Sequence, residues 1–396
     1  MKFSIPKNAQ KILDIIENAG YRADIVGGCV RDCMLGRVPG DYDITTNAMP
    51  EQIKSLFDKT VDTGIRHGTV SVIIDGEAYE VTTYRIDGEY RDNRHPVSVY
   101  FTDDIEKDLA RRDFTVNAMA YNPKRGIVDP FGGRMDIEKK TVRAVGDAKL
   151  RFEEDALRIL RAIRFSSVLG FQIEESTARE VRSSAARLEN VSRERILVEW
   201  LKLLGGGSAY DVVTEYQSVI FVFLPELAKI KMPPRRAFDS LSAEERQILL
   251  FACASGAEGF LRAAESLRMS NKMKSFGTSV LRYIGKLENE AQIREFLVLK
   301  DDTVALCAIN ISELLGLAMP GAHKLAESML EADVPRRINQ LAIGGESLYA
   351  LGLRGEKIGH AITELLFAVA RQKVVNEKNA LIKYVKEVMQ NNKNGI

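Results

Sequence analysis

The chain has 396 residues, 45% of them hydrophobic and 28% charged, with 56 Lys+Arg against 55 Asp+Glu for a net charge of +1. That length suggests two to four domains with sizeable cores, and the cancelling charges exclude a uniformly basic nucleic-acid coat; any polyanion must be held by local clusters. No run approaches the ~18 apolar residues of a membrane span. The stretch MKFSIPKNAQKILDII lacks the pattern of a secretory signal. Four cysteines (Cys29, Cys33, Cys253, Cys307) make no disulfide framework, and the spacing of Cys29 and Cys33 is wrong for a zinc knuckle. The four histidines (His67, His95, His323, His360) carry no His-Asp pair and no i,i+4 pair. A soluble cytoplasmic protein without a thiolate or histidine metal centre is expected.

The elements begin with a helix over 6–19, where Ile12, Ile15 and Ile16 recur at helical spacing. Ala23–Val26 reads as a strand running into Gly27-Gly28, and Asp43–Thr45 as a second short strand. A helix over 50–57 starts on Pro50. Val70–Ile74 and Tyr79–Tyr84 flank Asp75-Gly76, the strongest hairpin signal in the chain. Residues 85–98, RIDGEYRDNRHPVS, are charged and turn-rich and read as a mobile loop. Beyond Lys149 strand signals nearly vanish. Leu157, Leu160, Ile163 and Phe165, then Ile196, Leu197, Trp200, Leu201 and Leu204, recur at helical spacing. Helices then continue to Val388, broken at Gly205-Gly206-Gly207, Pro233-Pro234, Gly256 and Pro320-Gly321. The fold class is an α/β head followed by an all-α region.

Three constellations carry chemistry. In Gly27-Gly28-Cys29-Val30-Arg31-Asp32 a glycine pair after a strand lets backbone amides approach phosphates. Asp41 and Asp43, two apart, face one side if they lie on a strand. Beside a phosphate cradle, such a pair suits Mg²⁺ on a triphosphate and two-metal nucleotidyl transfer, with Glu80 a candidate third carboxylate. Solvated turn residues are the plainer reading. Next, Arg111-Arg112-Asp113-Phe114-Thr115-Val116-Asn117-Ala118 can clamp a phosphate, with Asn117 on a ribose hydroxyl, or can be an exposed basic helix start. Asp129-Pro130-Phe131-Gly132-Gly133 reads as a tight turn, structural or binding. Finally, Asp155, Arg158, Arg161 and Arg164 recur every three residues after Glu154. On a helix they form a polar stripe opposite Leu157, Leu160 and Ile163. Asp155 and Arg158 can offer an acceptor and a donor to a base edge, which suits the amine-bearing edges of C and A and repels the carbonyls of U and G. Arg161 and Arg164 can stack on the base or reach the triphosphate. The alternative is an i,i+3 salt bridge on a solvated helix.

Taken in order, these motifs resemble the class II tRNA nucleotidyltransferases, the CCA-adding enzymes kin to bacterial poly(A) polymerases, over roughly residues 20–200. Val191-Ser192-Arg193-Glu194-Arg195 is similar to the family's last neck motif. The resemblance implies a polymerase-β-like head over 1–148, a helical neck over 149–206, a body over 207–300 and a tRNA-binding tail over 301–396. It implies template-independent addition and repair of the 3′-terminal CCA of tRNA from CTP and ATP, with Mg²⁺ at catalytic Asp41 and Asp43. It implies nucleotide contacts at Gly28, Arg31, Arg112, Asp155, Arg158, Arg161 and Arg164. It also implies that the loop 85–98 helps switch the pocket from CTP to ATP; the loop is present at full length, with His95 where the family usually has an arginine.

Other readings remain: an A-adding-only enzyme or poly(A) polymerase, an inactive tRNA-binding protein, or a small-molecule nucleotidyltransferase. The last would leave the helical region without a task. No obligate protein partner is evident. Basic residues gather at Lys229, Lys231, Arg235 and Arg236, between Arg262 and Lys286, and from Arg371 onward. These clusters suit tRNA phosphates, so the neutral total reads as an acidic catalytic end balanced by basic patches.

Overall fold

The computed structural model describes residues 3–88, 98–332 and 334–393. They fall into two compact units, Met1–Pro225 and Glu226–Ile396. No helix among the described residues is long and apolar enough to cross a membrane.

The first unit opens with α1 (Lys7–Asn18), which buries Ile12, Leu13 and Ile16. Strand β1 (Ala23–Val26) is buried at all four positions, including Asp24, whose carboxylate accepts from the Tyr84 hydroxyl (2.9 Å) and Arg125 (3.1 Å). It turns through Gly27 directly into α2 (Gly28–Met34). Strand β2 (Ile44–Thr46) leads to α3 (Pro50–Leu56), with proline in the first turn. Strands β3 (Thr60–Gly64), β4 (Thr69–Ile74) and β5 (Glu77–Thr83) follow. The turn between β4 and β5 has positive φ at Asp75 (51°) and Gly76 (83°), the twist that a two-residue hairpin favours.

The segment predicted as a loop over 85–98 is not loop throughout. Its root is a ribbon of β6 (Arg85–Asp87) and β7 (Val99–Phe101), antiparallel, with Ile86 opposite Tyr100. Strands of three residues carry too little alternation to be read from sequence. Residues 89–97, His95 among them, lie outside the described residues. After α4 (Ile105–Ala110), strands β8 (Ala120–Asn122) and β9 (Gly126–Val128) complete a seven-stranded sheet in the order β3-β4-β5-β2-β1-β8-β9. In it β1 is antiparallel to β2 and β8, and β2 is parallel to β5.

Asp129 accepts from the amides of Gly133 (2.7 Å) and Arg134 (3.0 Å), so Asp129-Pro130-Phe131-Gly132-Gly133 is a tight turn that satisfies the first amides of α5 (Gly133–Glu138). A Cβ on Gly133 would stand 2.3 Å from the Thr115 carbonyl, which requires glycine for packing. Strand β10 (Thr141–Val142) pairs in parallel with β11 (Gln172–Ile173), a strand too short for the sequence to reveal.

Between them lie α6 (Ala148–Glu154) and α7 (Leu157–Leu169). Helices α8 (Glu175–Ser183), α9 (Arg193–Leu204), α10 (Ala209–Glu215) and α11 (Gln217–Phe223) close the unit. Trp200 on α9 is fully buried, edge-on to Phe223 at 5.9 Å. The second unit is helical. The positive φ of Gly256 (60°) and Gly321 (80°) matches breaks read from sequence, and a capping box at Ser242–Glu245 starts a further helix. One apolar cluster gathers Ile293, Leu297, Ile309 and Ala326, and another Ile343, Leu348, Leu365 and Leu381.

Candidate active site

The site begins where β1 meets α2. Gly27 has φ 83° and ψ −130°, a region closed to L side chains. A Cβ there would stand 3.0 Å from Arg112 Nη1. Gly28 opens α2, and Arg31 one turn later returns its guanidinium toward it. Asp41 and Asp43 precede β2 rather than standing within it, and the Asp43 carbonyl accepts the Val26 amide at 3.0 Å. That bond holds Asp43 beside the glycine turn.

Both aspartates are open to solvent, yet the walls of the site strip part of Asp43's hydration. That loss, with the charges of Asp41 and Glu80, raises its carboxyl above the ordinary range, and Arg112 opposes the rise. Asp41, Asp43 and Glu80 thus share one electrostatic environment with Arg112. Among the described residues no three His, Cys, Asp or Glu side chains form a metal cage. Two crowded carboxylates instead fit a cation that completes its shell with water and phosphate oxygens, the habit of Mg²⁺.

The arginine stripe is not solvated, which goes against the alternative of a salt bridge on a solvated helix face. Arg31 (5.4 Å), Arg161 (5.3 Å) and Arg164 (3.7 Å) surround the ring of Phe165. Arg31 donates to Asp32 (2.9 Å) and, through Nη1, to Asn117 Oδ1 (2.6 Å). Asn117, predicted to meet a ribose, is buried and links Arg31 to Asp113 through Nδ2 (3.3 Å). Arg161 Nε donates to Asp113 at 2.8 Å. Burial alone would raise the Asp113 carboxyl, but Arg161 outweighs it and holds the group down at about 2. Glu199 on α9 lies 2.7 Å from Arg164 Nε and 3.8 Å from Arg161 Nη1. Three guanidinium groups therefore converge on one ring, Arg31 balanced by Asp32 and Arg161 and Arg164 by Asp113 and Glu199.

Asp155 does not lie on a helix with the arginines. It stands in the break between α6 and α7 with φ −141°, and Oδ1 accepts the Leu157 amide at 3.0 Å. Its Oδ2 accepts from Arg195 of α9 at 2.7 Å. Arg158 is buried and turns to the Glu154 carboxylate (2.5 Å) and the Arg111 carbonyl (3.0 Å). The predicted Asp155–Arg158 stripe is thus two separately anchored residues, because the backbone breaks at Asp155. Sequence reasoning missed Asp113, Glu199, Arg195 and Phe165 as site-builders. The signal was the arginine repeat itself: cations at every third position of a largely apolar helix need counterions from elsewhere.

Residues 23–143 match the family model of the Poly A polymerase head domain, and 170–230 that of the probable RNA and SrmB-binding site of polymerase A. The chain is 34% identical over 391 residues to the CCA-adding enzyme of Geobacillus stearothermophilus, covering 96% of each, and 35% identical over 391 residues to that of Lactiplantibacillus plantarum at the same coverage. The chain belongs to the CCA-adding enzymes. Among solved structures, the Bacillus stearothermophilus CCA-adding enzyme in complex with CTP superposes with a TM-score of 0.81 at 33% identity, over 98% of both chains. A Thermotoga maritima CCA-adding enzyme complexed with tRNA shares the fold, with a TM-score of 0.68 at 21% identity over 98% of this chain and 97% of that one. A CCA-adding enzyme with this fold has a polymerase-β-like head followed by helices, as the sequence predicted.

Proposed function

We propose that this enzyme adds and repairs the 3′-terminal CCA of tRNA in the cytoplasm, taking CTP and then ATP without a nucleic-acid template. The observation that carries this reading is the convergence of Asp41, Asp43 and Glu80 with Arg112 beside the glycine turn, next to the Phe165 arginine cluster. Full-length likeness to CCA-adding enzymes supports the substrate.

Asp41 and Asp43 are the residues that would hold Mg²⁺, as two-metal chemistry requires. Held there, Mg²⁺ supplies acidity to the attacking 3′-hydroxyl and neutralises the departing pyrophosphate. The protein's own groups do the rest. The Gly28 amide end of α2 and Arg31 receive phosphate oxygens. Arg112 brings its Nη1 against the glycine turn, a donor for the triphosphate. Arg161 and Arg164 form a flat cationic wall against which a base stacks. Asp155 and Arg158 read the base edge by exchanging Arg195 and Glu154 for the amine and ring acceptor of C or A. Because each is already paired, a carbonyl-bearing base gains too little to displace its partner. We assign the head to 1–148, the neck to 149–206, the body to 207–300, and tRNA binding to the tail over 301–396.

The test offers tRNAs ending before, within and after CC, each with CTP, ATP or both. Two cytidines followed by one adenosine are expected. Incorporation of adenosine alone, only onto tRNA ending in CC, would replace this reading with an A-adding enzyme. Long adenosine tails on unstructured RNA would indicate a poly(A) polymerase. No incorporation refutes catalysis.

A further inference from the structure

A carboxylate outside the motifs already discussed sits behind the phosphate-facing side of the pocket. Asp108, on α4, has no solvent exposure. Its two oxygens are used differently. Oδ1 accepts from Arg111 Nη2 (2.8 Å), Arg111 Nε (3.0 Å) and the Arg85 amide (3.3 Å). Oδ2 is left to Arg112 Nη2 and Thr45 Oγ1, each at 3.5 Å.

Among the described residues, Asp108 is the acid that pairs with Arg112, and it stands behind it. In front, Arg112 Nη1 lies where a Cβ of Gly27 would come within 3.0 Å, and its charge is felt by Asp43. Its Nε is buried without a hydrogen bond.

A purely structural acid would have closed this shell. One carboxylate could take two parallel bonds from Arg112, the geometry that satisfies both groups best. Here Arg111 fills Oδ1, and the Arg112 contact through Oδ2 is long. Charge fixes where Arg112 stands, but its donors stay available.

We propose that Asp108 is a positioning residue for nucleotide binding: it holds Arg112 against the glycine turn with its remaining donors aimed at the triphosphate. The inference rests on the reading of Arg112 as a phosphate contact. Asp108 acts before the base is read, so it serves CTP and ATP alike. Its loss raises the KM of both nucleotides by a similar factor and leaves the KM of tRNA unchanged.

The test is a double-mutant cycle on the full-length enzyme with Asp108→Asn, Arg112→Ala and the pair. The KM of CTP is measured on tRNA lacking CCA, and that of ATP on tRNA ending in CC, alongside kcat, tRNA KM and melting temperature. Asp108→Asn is expected to raise both nucleotide KM values about tenfold, and the double variant to be no worse than Arg112→Ala. Losses that multiply in the pair, or a rise in tRNA KM equal to that of the nucleotides, overturn the proposal in favour of a general structural role. If Arg112→Ala itself leaves nucleotide KM at the parental value, the reading of Arg112 fails instead. Asp108→Glu keeps the charge that Arg111 and Arg112 need for folding while shifting the carboxylate by one methylene. It is expected to raise both KM values in a folded protein, and parental KM values there also overturn the proposal.

Discussion

The two glycines at the end of β1 are adjacent in sequence but make opposite predictions. Gly27 has φ 83° and ψ −130°, and a Cβ would meet Arg112 Nη1 at 3.0 Å and the Asn117 carbonyl at 3.8 Å. Forcing an L residue into this region costs about 1–3 kcal/mol. The added methyl also pushes on a guanidinium that can yield only by leaving its place. Gly27→Ala should therefore lower stability by about that amount, a fall of roughly 2–4 °C in melting temperature per kcal/mol for a unit of this size. It should also raise nucleotide KM. Gly28 lies within α2, and its nearest neighbour to a Cβ is Arg31 Nη2 at 3.6 Å, an ordinary contact. Gly28 is the first residue of α2, where glycine's interior penalty applies only in part, so alanine there should gain at most about 0.5 kcal/mol. Yet the methyl stands where backbone and phosphate must meet, so nucleotide KM should rise about tenfold or more. Thermal unfolding of the free enzyme and steady-state kinetics with CTP separate the two effects. A Gly27→Ala enzyme as stable as the parent refutes the strain argument. A Gly28→Ala enzyme with parental KM refutes the phosphate cradle.

Two further outcomes concern the acids behind the arginines. Asp113 is held at about 2 in the folded protein, against an ordinary value of 3.8. Its stabilising effect is therefore complete above the unfolded value and is lost as pH falls through the folded one. The stability difference between the parent and Asp113→Asn should be flat near neutrality, about 2–3 kcal/mol, and should shrink between about pH 4 and pH 2. A difference that grows on acidification contradicts the Arg161 pairing. Glu199→Gln removes the charge shared by Arg161 and Arg164 in a buried setting. It should cost about 3 kcal/mol and weaken nucleotide binding together, since Arg164 is then free to leave the Phe165 ring. Loss of stability with parental nucleotide affinity would separate Glu199 from the pocket.

What the sequence made legible, and what it hid, follows from how far apart cause and effect lie along the chain. Gly27-Gly28, the Asp75-Gly76 hairpin and the helical breaks at Gly256 and Gly321 were readable because a local backbone requirement selects the residue type on the spot. The arginine repeat was readable as chemistry but misread as geometry. Its spacing of three matches a helix, yet Asp155 caps the helix rather than riding on it, because its carboxylate takes the Leu157 amide. The acids that balance the arginines come from residues 48 positions away (Asp113 to Arg161) and 40 positions away (Asp155 to Arg195). No periodicity reports such pairings. The same holds for Phe165, which by pattern belongs with Leu157, Leu160 and Ile163 but whose ring is the floor for three guanidinium groups. The balance of 56 basic and 55 acidic residues then has a local counterpart. In the site each functional arginine is matched by an acid that orients it, so a pocket for a highly charged triphosphate is built without a large net charge. Affinity for phosphate comes from aimed donors, and the near-neutral total is what such pairing produces.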